Sequence, residues 1–410
     1  MNPDGSRSGA PILFASTNDA APWGGSEELW FETALRMAKD GWPVVASVVK
    51  WPDRAPQLAA LEAADVRVLE HGTPPLPLRV WLKVFPQQKY DWLRKLQPRF
   101  ALISQGVNFD KATIELGELL QALGVPYAVI SQSAFPWFWP PDGLAFRLGK
   151  VLNEAAASYF VSEKNAQLTR LQMGVPLENA RLAWNPYKVD FDQCLPYPNS
   201  DVMRLACVGR LEPGVKGQDL LFEVLSRDPW RDRPVQVTLY GSGQNAEILQ
   251  RLHRIWNVRN ASFGGYVQPT EIWRQNHALV LPARAEGVPI VVMEAMLCGR
   301  ICIATDVGRV PELIEDGVTG FIAKEISSDG VHDALERAWG RRGEWQSMGE
   351  RAAMAIRQKV PRDPGASLKQ EIEELMAAGV SKPRAKYGST QQLGSNSPES
   401  HAGTQLSDYK

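Results

Sequence analysis

Three stretches of the chain hold residues whose types and spacing could do chemistry. The longest is LPARAEGVPIVVMEAMLCGRICIATDVGRVPELIEDGVTGFI, Leu281 to Ile322. An apolar run ends at Leu281, a loop carries Glu286 and Gly287, and helical periodicity begins near Pro289, a residue suited to a first helical turn. Glu286 and Glu294 are eight positions apart, one in the loop and one about one and a half turns into the helix. Both can face the carboxyl end of a sheet, where open α/β sheets bind ligands. Carboxylates there suit a polyhydroxyl ligand, because each accepts two hydroxyl hydrogen bonds. Acidic residues near a helix N-terminus also complement its dipole, and for Glu286 alone the two readings stand level. Glu294 sits too deep among apolar neighbours for the dipole to account for it.

The second stretch is CVGRLEPGVKGQDLLFEVL, Cys207 to Leu225. A buried strand ends at Gly209, Arg210 follows at its tip, and Lys216 precedes the next helix. Two cations around a Gly-rich strand-to-helix turn make a diphosphate site: Arg as a fork, Lys as a point charge, backbone amides between them. Two solvated surface cations are the other reading, and the position after a strand favours the site. The third stretch is ASTNDAAPWGGSEELW, Ala15 to Trp30. Here Gly24 and Gly25 let backbone approach a ligand closely before a helix starts near Ser26, an arrangement that can cradle phosphate. Neither the dinucleotide glycine fingerprint nor a Walker lysine is present.

These residues need elements to hold them. Short apolar runs alternate with stretches of helical period. Strands are expected at Ile12–Ser16, Val44–Val49, Val66–Leu69, Ala101–Ser104, Tyr127–Ser131 and Ser158–Val161. Helices are expected at Ser26–Lys39, Lys111–Leu123 and Gly143–Ala157. After Pro186 to Pro198 the rhythm restarts, with strands at Met203–Val208, Val235–Tyr240, Ala278–Leu281 and Ile301–Thr305. The accompanying helices are Gly217–Ser226, Asn245–Trp256 and Pro289–Leu297. Continuous apolar strands between helices indicate parallel sheets covered on both faces. Two doubly wound α/β domains joined near residue 190 follow. The expected organisation is a flexible N-terminus (1–10), a first domain (11–188), a second (189–358), a return helix (359–378) and a disordered tail (379–410). Ser327–Lys359 reads as helix, and a further helix restarts over Ser367–Ala378. The tail holds too few large apolar residues to offset its ordering entropy.

Together the three stretches resemble the retaining glycosyltransferases of family 4, the glycosyl transferases group 1, over roughly residues 11 to 358. Supporting matches are ELIEDGVTGF (Glu312 to Phe321), Gly24-Gly25-Ser26-Glu27, the VSE of Val161 to Glu163, and WNPYKVD (Trp184 to Asp190) where the family has its hinge. The resemblance implies a GT-B fold, two Rossmann-like domains facing across a cleft, and transfer of a sugar from a nucleotide-diphosphate sugar to a saccharide or glycolipid acceptor. By resemblance Arg210 and Lys216 hold the donor diphosphate, and Gly24 and Gly25 approach it from the other domain. Glu294 takes the ribose hydroxyls, and Glu286 those of the transferred sugar. The remaining donor contacts are Gly287, Val288 and Pro289 in the loop and Tyr266 and Val267 near the base. Catalysis would be electrostatic, stabilising the leaving diphosphate and an oxocarbenium-like centre in a dry cleft.

Two departures and two aromatic clusters complete the reading. The family places a His in the first domain after a strand; here YAVISQSAFPW (Tyr127 to Trp137) has Gln132 and Ser133 at that point. A Gln can bond a sugar hydroxyl but supplies no positive charge. This leaves the donor open and makes a catalytically silent sugar-nucleotide or glycan-binding module the alternative. Arg309 stands where the family has Gly, as an extra phosphate or acid contact or a surface residue. FPWFWPP, Phe135 to Pro141, offers flat aromatic faces, and with Gln132 and Ser133 its Trp137 and Trp139 are the expected acceptor contacts. Arg79 to Arg99 interleaves six basic residues and one acidic with aromatics. That strip suits peripheral contact with an anionic membrane or, the favoured reading, a helix face with solvated charges.

The composition agrees with this organisation. The 410 residues predict two or three domains, and 44% hydrophobic with 22% charged residues is a globular composition. A net charge of −1 argues against nucleic acid as a partner. The four Cys form no disulfide framework or zinc set, and no metal or other cofactor is expected beyond the donor substrate. The polar Met1–Ala10 shows no secretory signal, and a cytoplasmic protein, at most peripheral at the inner membrane surface, is expected. Nine of the fourteen Trp precede residue 190.

Overall fold

The computed structural model describes residues 9–72 and 89–379. Its described strands form two parallel sheets. The first contains β1 (Ile12–Ser16), β2 (Val44–Val49), β3 (Arg67–His71), β4 (Phe100–Gln105), β5 (Tyr127–Ser131), β6 (Ala157–Phe160) and β7 (Ala180–Leu182). Their order is β3-β2-β1-β4-β5-β6-β7. The second contains β8 (Met203–Val208), β9 (Val235–Tyr240), β10 (Ala261–Gly265), β11 (Ala278–Leu281), β12 (Ile301–Thr305) and β13 (Gly320–Ala323), in the order β10-β9-β8-β11-β12-β13. Both orders reverse direction beside the first strand of their sheet, between β1 and β4 and between β8 and β11. Such a reversal opens a crevice at the carboxyl ends of the strands, where the helices diverge to either face.

Side-chain chemistry explains why these segments become central strands. Ile12, Leu13 and Phe14 of β1, and Phe100 to Ile103 of β4, are completely buried, as expected of strands covered on both faces. The first domain packs one core on each face of its sheet, and so does the second. The return helix, Pro364–Ala377, lies not on the second domain but on the first. Its Leu368, Ile372 and Leu375 join the core beneath helix Gly25–Lys39. Trp42 Nε1 donates to Glu373 Oε1 (2.8 Å) and Arg36 pairs with Asp363 (2.9 Å) at the same seam.

Three expectations change. Gly143–Ala157 is helical only over Asp142–Glu154, because Ala155 turns extended and Ala157 is already in β6. Ser327–Lys359 is two helices, Ser328–Gly340 and Trp345–Lys359, with a short 3₁₀ turn at Arg342–Glu344 between them. Strands β7, β10 and β13 and the helices Pro56–Ala63, Glu163–Met173 and Pro269–Gln275 were not foreseen. Residues 79–88 of the basic strip and 380–410 of the expected tail lie outside the described residues, as do residues 1–8. The described end of the strip is a paired surface: Lys89 and Tyr90 both bond Glu115 (2.8 and 2.9 Å) and Trp92 stacks on His71 (4.8 Å). No helix among the described residues is long and apolar enough to cross a membrane.

Candidate active site

The carboxyl edge of the second sheet gathers the charged residues singled out above. Gly217 has φ +67°, and a Cβ there would stand 1.9 Å from the carbonyl oxygen of Pro282. Only glycine lets helix Gln218–Ser226 begin this close to the exit of β11. That contact brings Lys216 to the loop after β11, where its Nζ lies 2.6 Å from Glu286 Oε1, with the two side chains only 19% and 9% exposed. Lys216 and Glu286, assigned on sequence to separate jobs, are thus one ion pair. Arg210, at the tip of β8, stays half exposed and pairs with Glu212 at 3.2 Å. Its carbonyl is held by Gln218 Nε2 (2.7 Å).

Glu294 lies inside helix Ile290–Leu297 and is buried. Its Oε1 accepts the backbone N–H of Lys188 at 2.9 Å. Burial, only partly offset by that hydrogen bond, pushes the carboxyl pKa up to about 7. Lys188 belongs to the segment joining the two sheets, and its ammonium reaches Glu28 on the first-domain helix (2.7 Å). Tyr266 is 73% exposed beside this cluster, on the loop after β10, and Val267 packs on the core of the second domain. Val288 is buried, and Pro289 caps the Glu294 helix.

The first domain closes over this edge. Helix Gly25–Lys39 starts at Gly24 with no capping side chain, which leaves first-turn amides free for a ligand. A Cβ on Gly25 would meet Ile290 at 2.9 Å, so this turn already touches the Glu294 helix. Gly287 is pressed against the first domain, and a Cβ there would lie 2.0 Å from the carbonyl oxygen of Gln132. Gln132 is buried with both amide ends engaged: Nε2 donates to the Ser26 carbonyl (3.2 Å) and Oε1 accepts from Asn185 (2.8 Å). Ser133 donates to the Gly106 carbonyl (2.8 Å). Trp137 and Trp139 project into solvent at 60% and 63% exposure. Their loop is held by Gln172, which donates to the carbonyls of Phe135 and Phe138 (2.9 and 2.6 Å).

Arg309 is not the surface residue that sequence allowed. It is 1% exposed. Its guanidinium pairs with Glu312 (2.9 Å), donates to the Ala183 carbonyl (3.1 Å) and lies 3.8 Å over the ring of Trp184. Its own N–H donates to the Gly287 carbonyl (3.0 Å). Glu312 also accepts the backbone N–H of Glu163 from the first domain (3.3 Å), and Lys164 pairs with Asp306 (2.5 Å). One buried cation therefore ties the segment joining the sheets to the loop that carries Glu286. Sequence reading missed this role of Arg309 and also missed Lys188 and Glu28. WNPYKVD was noted as the hinge, but nothing in it marks which N–H would meet Glu294.

Two sheets of this topology, facing across a cleft lined by these groups, define the GT-B glycosyltransferase fold. Residues 203–340 match the family model described as glycosyl transferases group 1. The chain is 27% identical over 243 residues to a GDP-mannose-dependent alpha-(1-6)-phosphatidylinositol monomannoside mannosyltransferase of Mycolicibacterium smegmatis, covering 54% of this chain and 63% of the relative. It is 32% identical over 152 residues to a D-inositol 3-phosphate glycosyltransferase of Actinosynnema mirum, covering 33% and 36%. The matches thus span from about a third to under two thirds of these relatives' lengths. Among solved structures, Anabaena HepE in complex with UDP superposes with a TM-score of 0.70 at 16% identity, over 90% of this chain and 100% of that one. Sucrose-phosphate synthase from Thermosynechococcus elongatus gives 0.69 at 16% identity, over 90% and 100%. These two likenesses establish the fold.

Proposed function

We propose that the protein is a retaining glycosyltransferase that moves a sugar from a nucleotide-diphosphate sugar to a saccharide or glycolipid acceptor. The observation that carries this reading is the convergence of Arg210, the Lys216–Glu286 pair and Glu294 on one sheet edge, opposite the uncapped helix start at Gly25. In this reading Glu294 accepts the ribose hydroxyls. Arg210, Lys216 and the amides at Gly25 surround the diphosphate, and Glu286 takes hydroxyls of the transferred sugar while holding Lys216 in place. Leaving-group stabilisation falls to these cations, and no metal is invoked. The bond from the anomeric carbon to the diphosphate oxygen breaks, the acceptor oxygen bonds that carbon on the same face, and the acceptor proton passes to the departing diphosphate. A glycolipid acceptor would bring the first domain to an anionic membrane surface.

The test is release of free nucleotide from a panel of UDP-, GDP- and ADP-sugars with saccharide acceptors. The reading predicts turnover with one donor class, weaker donor binding in Glu294→Gln, and turnover lowered at least about a hundredfold in Arg210→Ala. Wild-type rates in both variants would contradict it. Donor binding without turnover for any acceptor would instead support the silent module.

A further inference from the structure

The segment joining the two sheets passes between two buried carboxylates, and one residue meets both. Lys188 gives its backbone N–H to Glu294 Oε1 in the second domain (2.9 Å) and its ammonium to Glu28 Oε1 in the first (2.7 Å). Partial burial works against the charge of Lys188, but Glu28 outweighs it and holds the ammonium above its usual range. Glu28 lies in the first turn of helix Gly25–Lys39, and its Oε1 also accepts from Trp23 Nε1 (3.1 Å). Trp23 directly precedes Gly24 and Gly25. Polar contacts therefore lead from Glu294 through Lys188, Glu28 and Trp23 to the uncapped turn across the cleft.

Few charges bear on Glu294. Burial is the largest influence on its carboxyl; Lys188 then favours the ionised form and Glu28 disfavours it. Of the helices packed on that of Glu294, Trp345–Lys359 brings Arg357, which is held by the carbonyls of Phe191 and Leu297 (2.6 and 3.0 Å). Val310–Leu313 brings Glu312, paired with Arg309. Cys298, one turn beyond Glu294, is pushed up to about 12 by burial and stays a neutral thiol. Tyr266 bears on Lys188 from the loop after β10. An ammonium shared by two carboxylates on opposite domains acts on both, so the effects of removing it and of removing Glu28 have opposite signs at Glu294.

We propose that Lys188 is a positioning residue for the nucleotide: its N–H orients Glu294 toward the ribose, and its ammonium, through Glu28 and Trp23, holds the Gly24–Gly25 turn in place for the diphosphate. The nucleotide rests on the glycosyltransferase reading; the link between Glu294 and Glu28 does not. The experiment compares the full chain with Lys188→Met, Lys188→Arg, Glu28→Gln and Lys188→Met/Glu28→Gln. Each is titrated calorimetrically with UDP, GDP and ADP between about pH 5.5 and 9, and melted with and without the further change Glu294→Gln. The melting difference stops falling at the pH where Glu294 ionises, with no ligand needed. In Lys188→Met that pH and the rise in nucleotide affinity should both move up by about one pH unit. In Glu28→Gln both should move down, because the ammonium then acts unopposed. Lys188→Arg should keep both near the wild type, and the double variant should bring both back toward it. At about pH 9, where Glu294 is largely ionised, Lys188→Met should still bind the nucleoside diphosphate about tenfold more weakly. The nucleoside alone, which does not reach the turn, should lose little. Unmoved curves in both single variants, movement of both in the same direction, or equal losses for nucleoside and diphosphate would overturn the proposal. If the melting curves move as stated but no nucleotide binds, the link through Lys188 stands and the glycosyltransferase reading falls.

Discussion

Glu294 concentrates the chemistry of the proposed donor edge in one side chain. It is enclosed, bonded to a single backbone N–H, and its carboxyl titrates near 7 instead of 4.5 because burial disfavours the charged form. Ribose hydroxyls donate best to the ionised form, so donor affinity should rise as pH increases through about 7, and Glu294→Gln should abolish that step in a calorimetric pH series. The effect on stability has the opposite sign. A raised folded-state pKa gives a contribution that is complete below about 4.5 and lost as pH rises through about 7. Glu294→Gln should therefore melt above the wild type at about pH 8, and that advantage should shrink as pH falls below about 7 and vanish below about 4.5. The ion pair behaves differently. Removing Lys216 leaves Glu286, 9% exposed, without its cation. Lys216→Ala should cost about 2 kcal/mol by chemical denaturation, below the 3–5 kcal/mol of a fully buried pair, and should lower turnover as well. Both carboxylates were legible in the sequence, Glu294 because a charge amid apolar helical positions demands a reason. Lys188 was not, because its contact with Glu294 is made by a backbone N–H that every residue except proline carries.

At the scale of elements, the fold was legible wherever burial on both faces produced continuous apolar runs, as in β1, β4, β5, β8 and β12. Edge strands β7 and β10 escaped because they lack such runs: β7 is ARL, one residue in three charged, and β10 is ASFGG, three in five Ser or Gly. The boundary of helix Asp142–Glu154 blurred because the apolar, helix-compatible Ala155, Ala156 and Ala157 carry the chain into β6 without a breaker. What joins the elements across the cleft was the least visible, since it consists of single contacts between residues distant in sequence. Arg309 shows this: its partners Ala183, Trp184 and Gly287 belong to two other loops. Arg309→Ala should destabilise the chain by about 2–3 kcal/mol in thermal or denaturant melts. It should also lower kcat/KM about tenfold by loosening the Glu286 loop. Arg309→Lys should restore little, since an ammonium cannot both stack flat on Trp184 and bond in a fork.

The whole molecule is held by a helix that leaves the second domain and completes the core of the first. Truncation before Asp363 would expose the face that Leu368, Ile372 and Leu375 cover, at about 2 kcal/mol for each side chain. The first domain should then melt well before the second, as two separate transitions in calorimetry. The surplus of tryptophan in the first half also finds places: Trp30 is buried in the first-domain core with Trp23 packed against it, Trp184 seats Arg309, and Trp137 and Trp139 face solvent. The central claim is that the cleft is a nucleotide-sugar site organised by Glu294 and Arg210. A crystal structure with a bound nucleoside diphosphate tests it most directly. The account predicts the ribose hydroxyls on Glu294 and the diphosphate between Arg210, Lys216 and the Gly25 amides. A nucleotide bound away from both Glu294 and Arg210 would contradict it.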